Sequence, residues 1–200
     1  MAYGELFRVN FFDTDENKFL LEILEDGYTG AISTNLILGP NPVVVSYQQD
    51  DDFFSPIIGS SCKFQFYVDE NTGTKTWELS DSNWNLTDFL WNAEGSIQFL
   101  EPQNDRQFQT IVSSQVLNGT SDAYAVASRL KDTSVNFTNS LKVGDIVINT
   151  TTSDRTTVAQ VSSDTIIKLS ADIFSSAGGE SYEIYRKYWS GFIVQDSFNL

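Results

Sequence analysis

The chain has 200 residues, a formal net charge of −15, one cysteine (Cys62) and no histidine. Those counts exclude an intrachain disulfide, any catalytic or zinc site that needs histidine, and a thiolate cage. The acidic charge sets the surface against nucleic acid and anionic membrane, whose phosphates it repels, while 40% hydrophobic and 14% aromatic residues suffice for a packed core.

The opening MAYGELFRVNFF lacks the basic start and apolar stretch of a secretory signal. No apolar run reaches the roughly 18 residues that a membrane-crossing helix needs. The expectation is a chain made in a cytoplasm that stays soluble or joins a particle assembled there. Residues 7–11 alternate apolar and polar, and residues 19–24 follow the turn cluster DTDEN, so the two read as a hairpin. Residues 36–38 and 43–45 flank Gly39-Pro40-Asn41-Pro42, whose prolines predict a rigid bend. Residues 63–68 alternate, turn at DENTG and continue through 75–79 as a second hairpin. A short helical turn over 87–93 precedes a strand at 96–100, and the polar EPQND at 101–105 is a candidate boundary.

Residues 108–117 are again strand-like, and Asn118-Gly119 reads as a turn. Further on, 128–137 holds a short turn. Strands are expected at 145–149, 157–161, 165–169 and 182–185, separated by TTTSDR and SSD turns. Their spacing of about 8–12 residues suits a small sandwich or barrel. The aromatic run Tyr188-Trp189-Ser190-Gly191-Phe192-Ile193-Val194 is a further strand, closer in character to the first hundred residues than to what precedes it. The expectation is therefore an all-β chain with little helix. An antiparallel β-sandwich or barrel domain, 1–120 plus 186–200, is interrupted by a small inserted β-barrel-like module, 121–185. Insertion into a surface loop is tolerated when the ends of the insert lie close together.

Candidate chemistry is sparse. Asp50-Asp51-Asp52 could hold a divalent cation, but consecutive strand residues point to opposite faces, so a solvated acidic turn is the plainer reading. Asp13-x-Asp15-x-Asn17 begins a calcium-loop spacing and lacks its later glycine and closing glutamate. Cys62 sits in the strand-like SSCKFQFY and reads as a buried, inert thiol. Gly178-Gly179 is a turn rather than a phosphate loop. Asn85, Asn118, Asn136 and Asn149 begin N-x-S/T triplets, which matter only in a secreted eukaryotic protein. Trp77, Trp84, Trp91 and Trp189 could stack on sugars, or serve as core and interface anchors. Carboxylate pairs for glycoside hydrolysis meet only in space and are not readable here. The expectation is a non-enzyme with no catalytic residue, no metal and no cofactor.

Several stretches together resemble tail and baseplate proteins of tailed bacteriophages. Tyr28-Thr29-Gly30, Asn41-Pro42, the acidic run 50–52 and Ile57-Ile58-Gly59-Ser60 fall in the order of a common N-terminal pattern in such proteins. KYWSGFIVQDSF is similar to their W-x-G-[FW]-[IV] strand, and VGDIVINTT…TTVAQVSSDTIIKLSADIF to a β unit recurring in virion proteins. In those proteins the aromatic strand follows the first domain directly, whereas here the module intervenes. The resemblance implies a structural virion component, in the tail tip or baseplate, assembled in the bacterial cytoplasm. It implies a homomeric ring of three or six copies that docks other tail proteins, without nucleic acid or membrane insertion. Interface candidates are Phe53, Phe54, Trp84 and Trp91. The second class kept open is a carbohydrate- or receptor-binding β module of a phage tail or capsid decoration protein.

Overall fold

The computed structural model describes residues 3–30, 32, 37–48, 59–67 and 108–192. Among these the chain is all-β. Its strands are β1 (Tyr3–Phe12), β2 (Lys18–Asp26), β3 (Ile37–Gln48), β4 (Gly59–Tyr67), β5 (Phe108–Thr120), β6 (Arg129–Lys131), β7 (Ile146–Asn149), β8 (Arg155–Ser163), β9 (Ile166–Leu169) and β10 (Ser181–Phe192). One helical turn, α1 (Phe137–Ser140), is the helix among the described residues. Eight strands are hydrogen-bonded in the order β1-β2-β5-β10-β7-β8-β9-β6, and β3 pairs with β4. The ladders β10·β7, β3·β4, β6·β9, β7·β8 and β8·β9 are all antiparallel.

The chain divides into two compact units. The first comprises Met1–Phe11, Leu21–Val112 and Trp189–Leu200, and the second Phe12–Leu20 and Ser113–Tyr188. Strands β1, β2, β5 and β10 each contribute to both. The expected insert, 121–185, falls within the second unit, which also takes in the β1–β2 turn and the ends of β5 and β10.

In the first unit Leu6, Phe7, Leu21, Ile23, Leu24, Ile111 and Val112 are buried. Residues 20–25 of β2 are buried without a break, so both faces of that strand are covered. The β3–β4 ladder runs from Ile37↔Tyr67 to Gln48↔Gly59 with a register shift between Leu38 and Val43. Gly39-Pro40-Asn41-Pro42 therefore does not separate two strands, as the prolines had suggested. It is accommodated as a bulge within one strand, because proline is tolerated where the ladder lacks a donor.

The second unit builds its own core from Leu130, Phe137, Leu141, Val147, Val158, Ile167, Leu169, Tyr182 and Ile184. The ladders explain the set: Leu130 lies opposite Ile167, Val158 opposite Leu169, and Ile184 opposite Val147. Two register shifts in β8, between Val158 and Gln160 and between Val161 and Ser163, bend that strand. Asn136 caps α1 by accepting the Asn139 amide, and Phe137 enters the core.

Two further expectations are corrected. Asn118-Gly119 is not a turn; both residues belong to β5. A methyl carbon on Gly119 would lie 2.5 Å from Asp132 Oδ2 and 2.7 Å from Tyr182 Oη, so the glycine serves close packing, not a reversal of the chain. Residues 182–185 and the aromatic run from Tyr188 are not two strands but one, β10. Nothing between Tyr185 and Tyr188 breaks a ladder, since Arg186 and Lys187 are ordinary strand residues.

Candidate functional site

The four interface candidates, Phe53, Phe54, Trp84 and Trp91, lie outside the described residues, as do Asp50–Asp52, Trp77, Asn85 and the expected elements at 75–79, 87–93 and 96–100. The site that the structure does build is the polar frame of the second unit.

Asp132 follows β6 and is 1% exposed. Its Oδ2 accepts the Tyr182 hydroxyl at 2.7 Å, and its Oδ1 accepts the Ser134 amide at 2.8 Å and hydroxyl at 2.6 Å. Burial first, then the hydrogen bond to Asp132, pushes the Tyr182 phenol well above its ordinary value. The Tyr182 ring meets Phe174 edge-on, with centroids 6.2 Å apart.

Asp145 precedes β7. Its carboxylate accepts Arg186 Nε at 3.0 Å and Nη2 at 2.7 Å, and the Lys142 amide at 2.8 Å. The same Nη2 donates to the Ser140 carbonyl. The two-pronged bond raises the Arg186 pKa further and fastens α1 and its loop to β10. Gly144 sits at φ +92° just before, a conformation glycine adopts without strain.

Asn149 ends β7 and is fully buried. Its Oδ1 accepts the Thr151 and Thr152 amides, and its Nδ2 donates to the Ile173 carbonyl at 2.7 Å. It therefore holds the TTTSDR turn, and burial closes it to a glycan in the folded chain. A fourth polar contact ties the β1–β2 turn to β10: Lys18 pairs with Glu183, whose other oxygen accepts the Tyr185 hydroxyl.

The remaining candidates resolve simply. Asp13 accepts the Asp15 and Asn17 amides and the Asn17 side chain, and that side-chain bond leads in lowering its pKa. Its carboxylate is thus committed to its own turn. Among the described residues no cluster of three His, Cys, Asp or Glu side chains could hold a metal ion. Gly178 and Gly179 both have positive φ, but their amides donate to Ser175 and Ser121 carbonyls, which leaves no open cradle for phosphate. Cys62, in β4 of the first unit, is partly buried, and burial pushes its thiol up to about 11.

Trp189, in the first unit, donates Nε1–H to the Ser60 hydroxyl at 3.1 Å. A carbon added to Gly191 would lie 2.4 Å from Trp189 Cη2, so the ring lies over the glycine. The same arrangement recurs at Tyr28, where a carbon on Gly30 would meet the phenol oxygen at 2.5 Å. Two of the motifs behind the resemblance, Y-T-G and W-x-G, thus place an aromatic ring against a glycine two residues later. Sequence reasoning missed the exposed aromatics. In the first unit these are Tyr47 and Phe192, and in the second Phe12 and Tyr188. The signal for Tyr188 and Phe192 was present in the even spacing of KYWSGF.

No protein-family model matches the chain, and neither a curated protein nor a solved structure matches it.

Proposed function

We propose that the chain is a structural component of a tailed-bacteriophage virion: a tail-tip or baseplate protein that forms a symmetric homomeric ring and docks neighbouring tail proteins. The observation that carries this reading is the use of buried polar groups in the second unit. Asp132, Asp145 and Asn149 are each committed to backbone amides, a tyrosine or an arginine of that unit. Groups held this way fix a shape. A rigid, acidic part stays soluble before assembly and then meets identical copies through self-complementary surfaces. Exposed Tyr47, Phe192, Phe12 and Tyr188 are of the type that anchors protein interfaces, and Phe53, Phe54, Trp84 and Trp91 stay in the proposal on sequence grounds.

The test is the mass of the assembly by native mass spectrometry and light scattering over a wide concentration range. Three or six copies support the ring; a monomer throughout overturns it. Tight binding on a glycan array, lost in Trp189→Ala, would instead establish the carbohydrate-binding alternative.

A further inference from the structure

Asn118-Gly119 is the single Asn-Gly dipeptide of the chain. In an open chain this pair is chemically labile. The Gly119 nitrogen attacks the side-chain carbonyl carbon of Asn118, a C–N bond closes a five-membered imide, and ammonia leaves with the amide proton. Water then adds to one imide carbonyl. Opening at the side-chain carbonyl leaves aspartate. Opening at the main-chain carbonyl leaves isoaspartate, whose backbone is one carbon longer. Glycine favours the attack because no Cβ shields its nitrogen and its backbone turns freely.

The fold withholds the conformation that this chemistry needs. Both residues lie within β5, a strand with hydrogen-bonded neighbours on either side. A strand holds ψ near +135°, which directs the Gly119 nitrogen away from the Asn118 side chain. Closing the imide requires a large rotation about that bond, and so a broken ladder. Room for the rotation is also missing: the open side of Gly119 is filled by the Asp132 carboxylate and the Tyr182 hydroxyl, themselves joined by a buried hydrogen bond. The Asn118 side chain is exposed, so water and base reach it. Backbone geometry alone protects it.

We propose that Asn118 is a fold-gated deamidation site. Its amide survives while β5 is paired and is lost when the second unit opens. The isoaspartate product then hinders re-closure, because the longer backbone cannot keep Gly119 in register beneath Tyr182 and Asp132. Opening of this unit is thereby recorded irreversibly in the covalent chain.

The experiment incubates the full chain in warm, mildly alkaline buffer, with and without denaturant, and follows amide loss at residue 118 by peptide mapping. Loss in the native chain is expected to be at least about 100-fold slower, each tenfold reporting about 1.4 kcal/mol of opening free energy. Tyr182→Phe, which removes the bond to Asp132, is expected to speed the native reaction several-fold and leave the denatured rate unchanged. Asn118→Gln, a change at an exposed side chain, is expected to abolish the signal. A native rate close to the denatured one overturns the proposal. So does a native rate unmoved by Tyr182→Phe in a sample whose hydrogen-exchange protection has fallen.

Discussion

The two units place their buried charged and amide side chains differently. In the second they stand where strands begin or end: Asp132 after β6, Asp145 before β7, Asn149 closing β7. In the first they lie inside strands: Glu22 and Glu25 within β2, and Arg8 within β1, paired with Glu5 three residues earlier. A polar group at a strand end finds free backbone amides in the adjoining turn. One in mid-strand must find another side chain, since the ladder already uses the amides around it. The loops of the second unit are therefore fastened by the same residues that terminate its strands, and loop and core there should lose structure together.

The strongest way to break that comparison is Phe137→Ala. Phe137 is fully buried in the core of the second unit, and its truncation is expected to destabilise by about 3–5 kcal/mol. Segment-resolved hydrogen exchange should show protection lost across 113–188 and retained in 3–11 and 21–26. Simultaneous loss in both would mean that the units do not unfold separately. Asp132→Ala comes next. It strands the Tyr182 hydroxyl and the Ser134 amide, for an expected loss of about 2–3 kcal/mol in denaturant titration. Asp132→Asn, which keeps an acceptor, should lose less.

A pH series sharpens the comparison further. The Tyr182 pKa is raised in the folded chain above the unfolded value near 10. Its contribution is fully present below pH 10 and is lost as pH climbs past 10, because the unfolded phenol ionises first. The melting temperature should fall steeply on that alkaline limb, and Tyr182→Phe should flatten it. The smallest effect is expected at Cys62 in the first unit, whose thiol is raised from 9.0 to about 11. Reaction with a disulfide reagent should be slow at neutral pH and accelerate only as pH approaches 11. Fast labelling at neutral pH would show that the thiol is less covered than its position in β4 implies.

Much of the second unit was legible from sequence. Residues 155–169 alternate and are punctuated by clear turn clusters, and local pattern sufficed to predict β8 and β9. The polar frame was not legible. Asp132 meets Tyr182 at a separation of 50 residues, and Asp145 meets Arg186 at 41. Nothing local distinguishes those aspartates from solvated ones. Asn118-Gly119 was misread for a related reason. The dipeptide suits a turn or a close approach equally, and the deciding residue, Tyr182, lies far along the chain. Gly39–Pro42 was misread because two prolines break a regular ladder but not a bulged one. Tyr188 and Phe192 are exposed on β10, and the even spacing of KYWSGF held a signal for them that was not taken up, whereas the interface candidates Phe53, Phe54, Trp84 and Trp91 fall outside the described residues.

The seating of rings on glycines has a consequence for how such a chain can drift. Trp189 over Gly191, and Tyr28 over Gly30, are paired positions in which a side chain at the glycine requires the ring to move. A side chain at the glycine displaces the ring, and a smaller residue in place of the ring uncovers backbone, that of β10 at Gly191 and that of the bend after β2 at Gly30. Each pair should therefore persist while the intervening and flanking residues turn over. Distant relatives of this chain should be traceable by aromatic-x-glycine spacing long after overall identity has faded.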